Sequence, residues 1–451
     1  MFSFVFETAF RYETFKNSRQ KKADMIAEII STGDEVITGT VVDSNAAYIA
    51  ARLYETGIPV GRHLAVGDDS ELLSGVLKET SQRADIGIVT GGLGPTSDDI
   101  TAQAAAAAAG VDLQPNPTAR AYVEEFFKRF NRPLSGSDAK QAELPEGSQP
   151  ILNPVGTAPG FSMNIGECRF YFLPGVPFEM RKMMKDNIIP AIEERYCQGE
   201  KRSYYREKRL SLFGLPEAHV NERLAGLTAL HRDVRIGILS EFPVIHVKLS
   251  AYGTGPERLE ALVDRAASAV MERVGDYVYS DSGMTMEEVV GRLLSEQKKV
   301  LALAESCTGG LLGHRITNVA GSSRYFAGSA VTYANEAKKN LLGVSDQSLE
   351  AHGAVSEQTA LEMAEGARRI SGAQFGLAVS GIAGPEGGTP DKPVGTVCIG
   401  FSSSRESFSK RYNFPFDNRM ANKLIFAEAA LDVLRRKLAG KPVVKPMKKG
   451  D

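Results

Sequence analysis

Residues 300–312 read Val-Leu-Ala-Leu-Ala-Glu-Ser-Cys-Thr-Gly-Gly-Leu-Leu, "VLALAESCTGGLL". An apolar run ends at Ser306 and Cys307, two glycines follow, and a helical stretch opens at Leu311. A strand that hands over to a helix in this way is the repeating unit of an α/β sheet, whose ligands gather at the carboxyl ends of the strands. The first N–H groups of the helix have no partner inside it and face whatever sits at the strand end. Gly309 and Gly310 let a ligand approach the backbone closely, as an oxyanion hole formed with Thr308 would require. Two readings of the stretch stand side by side. Either Ser306 is a nucleophile beside that hole, or Ser306 caps the helix and Cys307 is a buried apolar residue.

Strands and helices alternate elsewhere too. "MIAEIIS" (25–31), "IPVGRHLAV" (58–66) and "DIGIVTGG" (85–92) read as strands. "SNAAYIAARLYETG" (44–57), with Ser44 as N-cap and Gly57 as stop, "DSELLSGVLKETSQRA" (69–84) and "DITAQAAAAAAG" (99–110) read as helices. Residues 25–175 are therefore expected to form an α/β domain with a mostly parallel sheet covered on both faces. The texture changes over residues 176–283, where the helical run "GVPFEMRKMMKDNIIPAIEERYC" (175–197) leads into a small α+β unit. Residues 284–440 return to strand and helix, with helices expected from Asn335, from Ser356 and near Arg419. The fold class is thus multidomain α/β. The polar tail 441–451 is expected to be disordered. Residues 1–24 precede a second methionine, Met25, and are read as a loosely held arm or as lying ahead of the natural start.

The bulk numbers agree. At roughly 150 residues per domain, 451 residues suggest about three domains. A net charge of −2 implies no large basic surface for nucleic acid. No apolar run is long enough for a transmembrane helix. Cys168, Cys197, Cys307 and Cys398 are scattered without a C-x-x-C pair, and the histidines do not cluster. That pattern fits a reducing cytoplasm and offers no structural zinc site.

Two further stretches bear on Ser306. "TYANEAKKNLLG" (332–343) offers Asn335 as an N-cap and places Lys338 in the first helical turn. The helix dipole opposes a cation there and lowers its pKa. A neutral lysine can serve as general base to a serine hydroxyl; the alternative is a lysine solvated like Lys339. The glycine-rich stretch "SGIAGPEGGTPDKPVGTV" (380–397) could hold a phosphate or ribose on its N–H groups, or be an ordinary flexible loop.

"AESCTGGLLGHRIT" (304–317), "GSSRYFAGSAVTYANEAKKNLLGV" (321–344), "HGAVSEQTALEMAEGA" (352–367) and the glycine-rich stretch resemble the C-terminal domain of the CinA family, nicotinamide-nucleotide amidases of the PncC type. The likeness covers nearly all of residues 285–440. It implies hydrolysis of nicotinamide mononucleotide (NMN) to nicotinate mononucleotide and ammonia, without a cofactor. It also implies Ser306 as nucleophile, Lys338 as base and Tyr333 as hydrogen-bonding partner. Ser380, followed by Gly381, stands where the family usually has threonine and keeps the hydroxyl. Arg419 matches a family arginine that would meet the phosphate; its alternative is a surface helix arginine. Cys307 as nucleophile would lack an activating histidine, since His314 and His352 are loosely placed.

"TGGLGPTSDDIT" (90–101) follows a buried strand. Gly91, Gly92 and Gly94 allow a tight turn, and Pro95 stiffens it. Beyond Thr96, Asp98 and Asp99 set two carboxylates at a helix start, where a divalent cation could bridge to a phosphate; alternatively Asp98 caps the helix. "STGDEVITGTVVDSN" (31–45) adds Asp34, Glu35, Asp43 and Asn45. Both stretches resemble the molybdopterin-binding fold, and "NPVGTAPGF" (153–161) and "LPGVPFEM" (173–180) resemble its CinA branch. The resemblance implies a pyrophosphatase that splits ADP-ribose into AMP and ribose 5-phosphate. It would use magnesium, manganese or cobalt, with a monovalent cation as a further candidate. Family members mostly read Gly-Thr-Glu-Leu-Leu where this chain has Gly33-Asp34-Glu35-Val36-Ile37, so the acid at 35 is kept. The middle region resembles the KH-like domain of the family. It lacks a GXXG loop, so it is read as a spacer and contact of a homodimer rather than a nucleic-acid module. Two rivals are a molybdopterin-binding role in molybdenum-cofactor assembly and a non-enzymatic role as a competence or DNA-repair partner.

Overall fold

The computed structural model describes residues 25–196, 203–414 and 416–443. The extension 1–24, Cys197 and the tail from residue 444 lie outside them. The chain divides into two compact units. One is built from the residues up to Arg206 together with Tyr252–Glu260, and the other from Glu207–Ala251 and the residues from Ala261 onward.

The first unit contains β1 (Ala27–Thr32), β2 (Val60–Val66), β3 (Ile86–Thr90), β4 (Leu113–Pro115), β5 (Glu143–Pro145), β6 (Gln149–Ile151), β7 (Gly160–Ile165) and β8 (Cys168–Leu173). Its six-stranded sheet has the order β2-β1-β3-β8-β7-β6, with β4 and β5 paired separately. β2, β1, β3 and β8 run parallel, whereas β7 and β6 add an antiparallel edge. The sheet is therefore mixed rather than wholly parallel. Neither strand of the β7–β8 hairpin is among the strands expected from the sequence.

Period-two alternation explains the two covered faces. Ile29 and Ile88 point into one core with Ile49 and Leu53, while Ile30 and Val89 point into the other with Leu73, Leu77 and Phe170. Met180, Met183, Met184, Ile188 and Ile192 fill the first of these cores. The helical run Pro177–Tyr196 thus belongs to this unit, which corrects the boundary expected at residue 175. Asp43, not Ser44, caps the helix Ser44–Glu55 by accepting from the Ala46 N–H.

The second unit begins with a four-stranded sheet of order β10-β11-β9-β12, made from β9 (Tyr204–Leu212), β10 (Arg235–Glu241), β11 (Val244–Gly253) and β12 (Val278–Ser280). The helix Pro256–Val274 separates β11 from β12 in the chain. This is the expected α+β middle domain. Its Phe213 and Tyr279 enter the same apolar core as Met286, Leu303 and Phe426 of the C-terminal domain.

The C-terminal domain has β13 (Leu301–Glu305), β14 (Phe326–Val331), β15 (Phe375–Gly381), β16 (Thr396–Ser403) and β17 (Ser407–Asn413), in the order β14-β13-β15-β16-β17. β13 is parallel to both neighbours, and β16 and β17 are antiparallel additions. Leu301 and Leu303 face the helices Met286–Glu296 and Arg419–Leu438, while Ala302 and Ala304 face the helix Glu357–Ser371. Arg315 ties three helices together through Glu287 and Glu428, each at 2.6 Å. Thr285 and Glu288 form a reciprocal capping box that starts the first of them. Among the described residues no helix is long and apolar enough to cross a membrane.

Candidate active sites

β13 is the middle strand of the parallel part of the C-terminal sheet, so its carboxyl end is flanked by the ends of β14 and β15. Ser306 leaves β13 with its N–H donated to the Val379 carbonyl of β15, at 3.0 Å. The chain then turns over residues 307–310 into the helix Leu311–Thr317. Gly309 and Gly310 hold φ of +62° and +95°, which a side chain would strain.

Their N–H groups are already engaged. Gly309 donates to the Ser306 carbonyl at 3.0 Å and Gly310 to the Glu305 carboxylate at 3.0 Å. The expected oxyanion donors are therefore corrected. The N–H groups of Cys307 and Thr308 are the ones without a backbone acceptor among the described residues. Thr308 is fully buried, and its hydroxyl also has no partner there.

Glu305, not among the residues expected from the sequence, shapes this turn. It is fully buried, and its two oxygens accept the N–H groups of Gly310, Leu312 and Gly313 and the Ser329 hydroxyl. A carboxylate at a helix start satisfies otherwise orphaned N–H groups and complements the helix dipole. The available signal was an acid inside an apolar strand, directly ahead of a glycine turn.

Lys338 arrives from the helix Asn335–Leu342, which follows β14. Asn335 does not cap that helix; Ala334 precedes it without a side-chain bond. Lys338 is 1% exposed, and its Nζ stands 3.2 Å from Ser306 Oγ. It also donates to the carbonyls of Thr332 at 2.8 Å and Tyr333 at 3.1 Å. Burial holds its pKa below the ordinary lysine range. The dominant cause is thus loss of water rather than the helix dipole. The adjacent Lys339 instead pairs with Asp346 at 2.9 Å, and its pKa is raised by that bond.

Tyr333 is exposed, and its hydroxyl accepts from Arg419 at 2.9 Å, while Arg419 also donates to the Gly384 carbonyl at 2.7 Å. The structure therefore brings Ser306, Lys338, Tyr333 and Arg419 together. Ser380 is buried and spends its O–H on the Ala354 carbonyl at 2.6 Å. A Cβ at Gly381 would stand 2.7 Å from the Thr396 carbonyl oxygen, so this glycine serves close strand packing. Cys307 is buried, which pushes its thiol up to about 12. That leaves almost no thiolate at neutral pH.

In the first unit a cavity of about 460 Å³ opens at the carboxyl ends of β1, β3 and β8. Glu35, Gly91, Gly92, Gly94, Asp98 and Asp99 line it, as expected. Gly91 has φ +112°, and a Cβ there would meet the Thr32 carbonyl oxygen at 2.4 Å. Thr96 donates both its N–H and its hydroxyl to Asp99, and Lys140 bonds the carbonyls of Thr96 and Asp99 at 2.7 and 2.9 Å. Asp99 therefore braces the loop rather than forming a free pair with Asp98. Nor does Asp98 cap the helix Thr101–Ala109, which follows Ile100 without a side-chain cap.

Asp43 and Asn45 are likewise structural. Asp43 takes the Ser31 hydroxyl and the Ala46 N–H, and Asn45 donates to Thr90 and to the Gly175 carbonyl. Asp68, not among the residues expected from the sequence, also lines the cavity. Its pKa is raised by burial, with the negative charges of Asp34, Glu35 and Asp98 adding to the effect. "GDDS" after β2 marked it, because strand ends collect ligand groups.

Among the described residues no three histidine, cysteine or acidic side chains are placed to hold a metal ion. The donors present fit only a cation that takes most of its shell from water and ligand phosphates, as magnesium commonly does. Gln141 also lines the cavity. It is 6% exposed, and its carbonyl oxygen is buried without a partner among the described residues.

Fold and sites together define a multidomain α/β protein with a glycine- and acid-lined cavity at the strand ends of its first sheet and a serine–lysine pair at a strand end of its last. Comparison with known proteins matches residues 28–194 to the probable molybdopterin binding domain, 207–280 to the damage-inducible protein CinA KH domain and 283–438 to the CinA C-terminal domain. A CinA-like protein of Desulfosudis oleivorans is 49% identical over 92% of this chain and 100% of its own. One from Desulforapulum autotrophicum is 46% identical over 92% and 98%. A crystal structure of CinA from Thermoplasma acidophilum, described as of unknown function, is 34% identical over 38% of this chain and 97% of its own, with a TM-score of 0.35. The chain belongs to the CinA family.

Proposed function

We propose that the C-terminal domain is a serine hydrolase of carboxamides, acting on NMN to give nicotinate mononucleotide and ammonia. One observation carries the reading: a buried lysine amine lies 3.2 Å from the Ser306 hydroxyl, at a strand end where the N–H groups of Cys307 and Thr308 have no backbone acceptor among the described residues. A neutral lysine has two N–H bonds and one lone pair. The carbonyls of Thr332 and Tyr333 accept the two N–H bonds, which leaves the lone pair for the serine proton.

Ser306 Oγ attacks the amide carbon as Lys338 takes its proton. The N–H groups of Cys307 and Thr308 receive the charge that develops on the carbonyl oxygen. Lys338 returns the proton to the leaving nitrogen, the C–N bond breaks and ammonia departs. Lys338 then takes a proton from water, which attacks the acyl-serine ester, and the carboxylate product leaves with Ser306 reprotonated.

The N-terminal cavity is the second site of the same proposal, a cation-dependent pyrophosphatase on ADP-ribose. The phosphate-approaching turn at Gly91–Gly94 and the acidic rim of Glu35, Asp68 and Asp98 support it. Asp98 would hold the cation, which supplies charge neutralisation at the diphosphate. Gln141 offers its orphaned carbonyl to a ligand hydroxyl or amine.

Product analysis tests both halves. Wild-type protein incubated with NMN is expected to yield equimolar ammonia and nicotinate mononucleotide, with no product from Ser306→Ala. Incubated with ADP-ribose and magnesium, it is expected to yield AMP. Full ammonia release by Ser306→Ala would remove the mechanism.

A further inference from the structure

Lys423 is a residue that neither the resemblance nor the mechanism above uses. It lies on the helix Arg419–Leu438, four residues after Arg419, so the two side chains share a face one turn apart. Arg419 is held toward the site by Tyr333 and Gly384. Lys423 is partly exposed, and its Nζ would stand 3.7 Å from a Cβ placed on Gly309. It therefore leans over the turn that carries the N–H groups of Cys307 and Thr308. No ion pair or hydrogen bond ties it to another described residue. Glu305, the acid beneath the turn, is fully buried and spends both oxygens on three N–H groups and a hydroxyl. It is not available to neutralise the lysine.

Surface lysines normally lie in water with nothing to meet. This one reaches the turn that follows Ser306, with its Nζ 3.7 Å from where a Cβ on Gly309 would stand, and lies on the same helical face as an arginine already aimed at the site. We propose that Lys423 and Arg419 form a two-cation clamp for the phosphate monoester of the substrate. The planar fork of Arg419 would fix orientation, and the more mobile ammonium of Lys423 would close on the remaining oxygens. The clamp would make the site select phosphorylated nucleotides over their nucleosides. This rests on the amidase reading of Ser306 and Lys338.

The test compares NMN with its dephosphorylated nucleoside, nicotinamide riboside, on wild type, Lys423→Ala and Lys423→Arg. In Lys423→Ala, KM for NMN is expected to rise about tenfold or more while kcat stays within about threefold, because a ground-state contact is lost. The kcat/KM for the riboside should not change, and Lys423→Arg should restore most of the NMN affinity. An equal loss on both substrates, a fall in kcat alone, or no change would overturn the clamp. If wild type releases no ammonia from NMN, the amidase reading fails, and equilibrium binding of inorganic phosphate becomes the readout. Binding that Lys423→Ala weakens about tenfold keeps the anion site, whereas equal affinity in both proteins, or no binding to wild type, overturns it.

Discussion

Ser306 and Gly91 sit at equivalent places in two different sheets, each where a central parallel strand turns through glycines into a helix. What surrounds them differs. At Ser306 the structural work of the turn is done from below by Glu305, so the serine, the lysine and two N–H groups are left for chemistry. At Gly91 the loop is braced by its own acid, Asp99, and by Lys140, while Asp43 and Asn45 hold neighbouring segments. On the proposed reading the first site would carry its reacting groups within the chain; the second is a shaped recess whose chemistry would come with a cation and a diphosphate.

The largest expected effect separates the two. Ser306→Ala should lower ammonia release from NMN by about 10,000-fold and leave AMP formation from ADP-ribose untouched. Chelating divalent cations should do the reverse. Asp98→Asn should cost AMP formation about 100-fold with ammonia release unchanged. Loss of both activities under either treatment would break the contrast.

Glu305→Ala sharpens the contrast by removing the support beneath the first site. Three N–H groups and a hydroxyl would lose a buried partner, and thermal or denaturant unfolding should report a loss of about 3 kcal/mol. A loss under about 1 kcal/mol would mean that the helix start needs no carboxylate.

The pH dependence follows from Lys338. Its folded pKa is depressed by burial, and in the proposed mechanism the neutral form is the base. The kcat/KM for NMN should therefore climb with pH and reach its plateau below the ordinary lysine range. Over the window between the folded and ordinary values the unfolded chain binds the extra proton, so stability from this residue rises with pH. Lys338→Met should flatten both limbs. A rate that is flat with pH in wild type would contradict a lysine base.

The smallest effect concerns a residue chosen for function but found in structure. Asp43→Ala should cost about 1 kcal/mol, the worth of a helix cap, and leave both activities within a few-fold.

Much of this was readable in the chain. Apolar runs ending in glycine located β1, β3, β13 and β15, because buried parallel strands are both apolar and abruptly terminated. Ser306 stood out because it directly follows such a strand, and Lys338 because the sequence places it in the first turn of a helix. The antiparallel additions β7 and β17 were not resolved, since nothing local in "GFSMNI" or "SFSKRYN" distinguishes an added edge from a loop-flanked turn. The run at 177–196 was assigned to the wrong domain because its methionines show burial but not against what. Glu305, Asp68 and Lys423 were missed because a charged residue announces its role only through what lies across from it in space.

The central claim is that Ser306 and Lys338 act as one unit, and the sharpest test is a double-mutant comparison of kcat/KM for ammonia release from NMN. The account predicts that Ser306→Ala, Lys338→Ala and the double substitution all fall to the same residual level, with folding intact in each. Losses that instead multiply, or a Ser306→Ala protein that keeps wild-type activity, would contradict it.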